Sequence, residues 1–222
     1  QFVIRKNIII QKSAVATNVP DISANVAAGE TAGAFTVTEN ASLTLNGVKL
    51  VVQGTANTET DGGKYDGTGI ILNNSASGAG GKLVLNNAEV ELTRLQRGMV
   101  FQVTASNLAS VEMDNSKLTI QNIDGNATNG GSWNVKNNST VTVSNCGDHG
   151  LSVEKLTVDG SAVHVDNVGY VGVLAQKVEL KNGADVSVTD SGKKLPFTSQ
   201  WAPNGEKYEN AVEIKQSGSL SV

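Results

Sequence analysis

The sequence is poor in rings, prolines and cysteines. Aromatic residues make up 4% of the chain, so a core must be built from Val, Ile, Leu and Ala. That composition favours strands over a helical bundle. The single cysteine, Cys146, forms no internal disulfide, and its isolation excludes a disulfide scaffold or a Cys-rich zinc site. No apolar run approaches the ~18 residues of a membrane-crossing helix. The longest run near the start, Ile8–Ile10, is too short for the roughly 7–15 residues of a signal-peptide core. The chain opens on Gln1 rather than Met, as expected of a piece of a longer protein. Net charge is −4, and Lys and Arg are scattered without a basic stripe, which argues against a nucleic-acid partner. No motif calls for a cofactor.

What the chain does have is a repeat. A short apolar-x-apolar strand, a polar turn rich in Asn and Gly, and a second apolar-x-apolar strand recur. The pattern appears as "LTLNGVKLVV" from Leu43, "LVLNNAEVEL" from Leu83 and "VEMDNSKLTI" from Val111. It returns as "WNVKNNSTVTV" from Trp133, "LTVDGSAVHV" from Leu156 and "VELKNGADVSV" from Val178. The last steps are 22, 23 and 22 residues. These two strands are denoted A and B. A third, C, follows a glycine in "GIIL" (Gly69–Leu72), "GMVF" (Gly98–Phe101), "GLSV" (Gly150–Val153) and "GVLA" (Gly172–Ala175). Phe35–Val37 and Ala211–Ile214 read as further C strands, and Ile8–Ile10 and Ser219–Val222 as A strands at the two ends. Ile22–Val26 reads as a B strand. No clear C strand is legible between Ile120 and Trp133.

Three short strands per unit of about 22 residues predict an all-β parallel β-helix, in which each coil buries its apolar side on its neighbours. About eight coils spaced ~4.8 Å apart would make a rod near 38 Å long. Alternation directs Leu156, Val158, Val163 and Val165 inward, and Thr157 and His164 outward. Asn, Asp and Gly at the A–B corners tolerate left-handed backbone and can stack their amides in ladders. A β-sandwich also alternates. The near-constant step and the turn chemistry at one phase favour the coil, and the preference for right-handed crossovers favours a right-handed one.

The Asn/Gly-punctuated repeats, with "RKNIII" from Arg5 and "ENASLTLNGVKL" from Glu39, resemble right-handed parallel β-helix segments of bacterial cell-surface and adhesin-like proteins, the pectin-lyase-like fold in its broad sense. The resemblance is one of pattern over nearly the whole chain. It implies an extracellular location and a stalk or adhesive role, with a glycan or a host or cell-surface protein as partner.

Insertions in a solenoid become loops, and loops on one face often bind. Three fall at the B–C corner: 53–68, 121–132 and 189–210. The same corner collects Tyr65, Tyr170, Phe197, Trp201 and Tyr208, together with Asp61, Asp66, Asp124, Asp148 and Asp190. Rings beside carboxylates suit sugars, and Tyr and Trp also suit a protein partner. The expected binding residues are therefore Trp201, Tyr208, Tyr65, Phe197, Tyr170 and Asp190. Asp61 and Asp66 in "DGGKYD" are a weak calcium pair whose spacing matches no EF-hand loop. A further insertion, Asn73–Lys82, lies at the C–A corner and reads as small and flexible.

The stretch "VSNCGDHGLSV" (Val143–Val153) is the one that invites a catalytic reading. Its His149, Gly150, Leu151 and Ser152 resemble the Gly-His-Gly-[Ile/Leu]-Ser signature of polygalacturonase-type glycosidases. Asp148 stands where that family has Gly, and neither its paired aspartates nor its downstream Arg-x-Lys is present. The alternative to an adhesive or structural segment is thus a polysaccharide-degrading hydrolase or lyase using Asp148, His149 and Asp124 or Asp190. Hydrolysis needs two carboxyls at roughly 5–10 Å. Shifting the stretch by 22 residues sets it on "VDNVGYVGVLA" from Val165. Cys146 then falls on Val168 in a column continued by Ile123 and Leu95, which predicts a buried small hydrophobe. The recurring frame, Asn-x-Gly-x-x-Gly, reads as a corner rather than as a catalytic motif.

Overall fold

The computed structural model describes residues 1–15, 17–27, 29–30, 32–55, 65–102, 106–192 and the strand Val212–Ser221. Among these the regular structure is all strand, and the strand ladders pair in parallel. The B strands form a 7-stranded sheet running from Asp21–Val26 to Asp185–Ser191. The A and C strands share a 13-stranded sheet. They share it because C runs unbroken into A in Leu151–Asp159, Val173–Lys181 and Val212–Ser221. Parallel neighbours joined by short connections stack as coils, an arrangement compatible with a parallel β-helix.

Alternation sets the core. Leu43, Leu83, Val111, Trp133, Leu156 and Val178 stack in one A-strand column. Leu50, Val90, Leu118, Val141 and Val163 stack in the facing B column. These residues belong to one continuous buried cluster. Leu156, Val158, Val163 and Val165 are buried as expected, and Thr157 and His164 are half-buried on the outer side. Each fully buried aliphatic side chain contributes about 1.5–3 kcal/mol. With few aromatics available, many small contributions of this size replace a few large ones.

Two corners carry the turn chemistry. At the A–B corner, Gly47, Asn87, Asn115, Asn137, Gly160 and Asn182 have positive φ. Asparagine side chains at this corner bond between coils: Asn86 Nδ2 donates to Asn46 Oδ1 at 2.9 Å, and Asn115 Nδ2 to Asn87 Oδ1 at 2.7 Å. Beneath them runs a serine ladder that pattern alone did not reveal. The backbone N–H groups of Ala88, Ser116 and Ser139 donate to the hydroxyls of Ser116, Ser139 and Ser161 at 3.0, 3.1 and 3.1 Å. At the B–C corner Arg94, Asn122, Asn145, Asn167 and Asp190 all lie at φ between 49 and 55°.

Three expectations change. The segment 121–132 is not an insertion. It holds a two-residue C strand, Thr128–Asn129, paired with Met99–Val100 on one side and Leu151–Ser152 on the other. The first C strand is Phe2–Ile4, ahead of the expected first one, and is in register with Phe35–Val37. The loop after Asn73 is pinned rather than loose. Ser75 and Asn107 exchange backbone hydrogen bonds at 2.9 and 3.0 Å, and Asn40 N–H donates to Ala79 O at 2.8 Å. Of the other insertions, 56–64 and 193–211 lie outside the described residues.

Candidate functional site

The B–C corner is built on close coil-to-coil approach. A Cβ added to Gly147 would lie 2.1 Å from Asp124 O, and one on Gly150 would lie 2.5 Å from Gly172 O. The glycines of the Asn-x-Gly-x-x-Gly frame therefore serve backbone proximity, while its Asn supplies the left-handed bend. Cys146 pairs with Ile123 and Val168 in the sheet and is fully buried, as the column predicts. It is a free thiol.

This frame positions Asp148 and His149. Backbone bonds hold both residues: Asp148 N–H donates to Gly125 O at 3.3 Å, and Ala127 N–H donates to His149 O at 3.0 Å. Asn126, unmarked by any motif, accepts the His149 N–H through Oδ1 at 3.3 Å. Asp148 Oδ1 lies 2.7 Å from His149 Nδ1, without an aligned hydrogen bond, and is shielded from solvent. The imidazole stacks on Tyr170, with centroids 5.6 Å apart and planes at 15°.

The other expected residues take different places. Tyr170 is 2% exposed, so it supports His149 from below and offers almost no ring face to a ligand. The 22-residue shift sets Tyr170 opposite Asp148 and does not show that the His149 ring leans over it. Tyr65 is half-buried, and its backbone N–H donates to Asp124 Oδ2. The returning end of the 53–68 insertion thus lies along the corner, with Asp66 O accepting Gln96 N–H at 3.2 Å. Asp66 Oδ2 accepts the N–H of Gly29 at 2.8 Å. Asp190 sits between the register pairs Asp166–Thr189 and Val168–Ser191, in the left-handed column of Asn145 and Asn167. It therefore does not share the corner position of Asp148. Asp61, Phe197, Trp201 and Tyr208 lie outside the described residues.

The chemistry on offer is limited. Asp124 and Asp66 already accept backbone hydrogen bonds, and Asp148 is turned toward His149. Among the described residues no group of three or more His, Cys, Asp or Glu is placed to hold a metal. His164, on the outer B face, contacts Ser187 Oγ at 2.7 Å through Nδ1 and stands apart from this corner. Compared with known proteins, the chain matches no family, no curated sequence and no solved structure. Among the described residues no helix is long and apolar enough to cross a membrane.

Proposed function

We propose that this chain is a non-catalytic extracellular segment of a bacterial surface protein, adhesive or structural in role. In this reading it is a right-handed β-helix of the pectin-lyase-like type with about eight coils, a rod of roughly 38 Å at ~4.8 Å per coil. Its glycan-facing side is the B–C corner, where the long insertions emerge.

The observation that carries the reading is the use of the corner carboxylates inside the fold. Asp124 takes the Tyr65 N–H and Asp66 takes the Gly29 N–H. A hydrolase needs two carboxyls aimed at one bond, whereas here they tie one coil or loop to another. The half-buried Tyr65 at the same corner suits stacking against a sugar face.

A glycan array probed with the intact chain tests this. Binding is expected to survive His149→Ala and Asp148→Asn and to fall on Trp201→Ala. Array binding that disappears with His149→Ala and persists in Trp201→Ala would overturn the assignment of the corner.

A further inference from the structure

We infer that the C–A corner near the start of the chain holds a separate binding site for a neutral saccharide unit. Three successive C–A connections meet there around a cavity of about 550 Å³, lined by Arg5, Thr38, Glu39, Asn40, Asn73 and Asn74. That volume lies within the ~300–1,000 Å³ of small-molecule sites. The cavity is on a different corner from His149 and Tyr65 and does not depend on their role.

The walls are fixed before any ligand arrives. Ser75 is 1% exposed. Its hydroxyl donates to Glu39 Oε2 at 2.7 Å and accepts the Gly78 N–H at 2.8 Å. Asn40 Oδ1 accepts the Ala79 N–H at 2.9 Å, and Asn74 Oδ1 accepts the Ala109 N–H at 2.7 Å. Asn107 Nδ2 closes the loop onto Gly78 O at 2.7 Å. Such pinning lowers the ordering cost of binding.

One group in this framework is unspent. Asn73 Oδ1 is shielded from solvent and accepts no hydrogen bond. Buried polar atoms in folded proteins are nearly always paired, so an unpaired one on a residue that lines the cavity marks an amide that would turn to meet a donor there. The neighbouring groups define that donor. Glu39 accepts, the Arg5 guanidinium donates, and the two formal charges cancel. A cation would meet Arg5, and an anion would meet Glu39. The lining carries no aromatic ring, and Ala76 is its one aliphatic residue, too little to hold an apolar ligand. A molecule that both donates and accepts through neighbouring hydroxyls meets all of these conditions, and that is the chemistry of a neutral sugar.

The test is a ¹⁵N-correlation NMR titration of the intact chain. The probes are the methyl glycosides of glucose, galactose and mannose, and N-acetylglucosamine. Shifts are expected to cluster at the amides of Thr38–Asn40 and Asn73–Ala76, saturating with at least one probe at concentrations on the order of millimolar. Arg5→Ala and Asn73→Ala should each weaken that binding by about tenfold or more with an unchanged strand spectrum. Arg5 is exposed, so its truncation leaves the fold intact. His149→Ala and Trp201→Ala should leave these shifts in place, which separates this site from the B–C corner. Lack of clustered shifts with all four probes, shifts that survive both Arg5→Ala and Asn73→Ala, or the same shifts produced by calcium chloride alone would each overturn the proposal.

Discussion

Asn167 donates through Nδ2 to Asn145 Oδ1 at 2.7 Å, and Asn145 in turn donates to Asn122 Oδ1 at 3.2 Å. All three occupy the left-handed region, with φ of 49, 54 and 55°. One residue type thus supplies both the bend and the bond between coils. Asn145→Ala should destabilise the fold by about 1–3 kcal/mol, combining lost amide bonds with left-handed strain. Asn145→Gly should cost less, since it keeps the bend and loses only the bonds. Urea denaturation midpoints of the two variants check the order; an equal loss would mean that the bend carries no strain.

Arg94 holds the same place one coil earlier, with φ of 54° and a side chain poorly suited to it. Arg94→Asn should stabilise by about 1 kcal/mol, by relieving backbone strain and extending the ladder to Asn122. The expected reading is a higher thermal midpoint, and an unchanged or lower one contradicts it.

Cys146 is fully buried and continues the column of Ile123 and Val168. Cys146→Val should change stability by less than about 1.5 kcal/mol, as size-conserving apolar exchanges do. Its thiol should react slowly with a disulfide reagent in the native state and fully in denaturant. Rapid native reaction would show that the column opens.

Glu179 lies on the outer A face, 2.7 Å from Lys177 Nζ and 3.1 Å from Lys181 Nζ. Hydrogen bonds from Lys177 and then Lys181 hold its carboxyl down to about 2, from an ordinary 4.5. A depressed carboxyl contributes its stability above the unfolded value and loses it as pH falls through the folded one. Stability should therefore decline between pH 4.5 and about 2, and Glu179→Gln should flatten that decline. The same slope in the variant would place the acid sensitivity elsewhere. High salt should weaken the effect, because the cluster is near the surface.

The parts of the fold that were legible are those in which apolar side chains alternate. The A and B strands from Leu43 to Val188 announce themselves by inward Leu, Ile and Val. The C strand at Thr128–Asn129 does not, because its inward residue is polar. Thr128 is fully buried and satisfies its hydroxyl on Ser152 O at 3.1 Å, so the column continues without an apolar mark. Phe2–Ile4 is short, and only Ile4 is buried. Tyr170 was legible as a corner residue, but its burial under His149 depends on a neighbouring coil. The loop after Asn73 has the composition of a flexible linker. Its rigidity comes from partners far along the chain, Asn40 and Asn107, which composition does not show.

In the proposed reading the Asp148–His149 corner is a stacking frame rather than a reaction centre. The most direct measurement is incubation of the intact chain with a panel of acidic and neutral polysaccharides, assayed for new reducing ends and for unsaturated products. The account predicts neither product above the no-protein control. Turnover that is lost in Asp148→Asn or His149→Ala, with the fold retained, would contradict it.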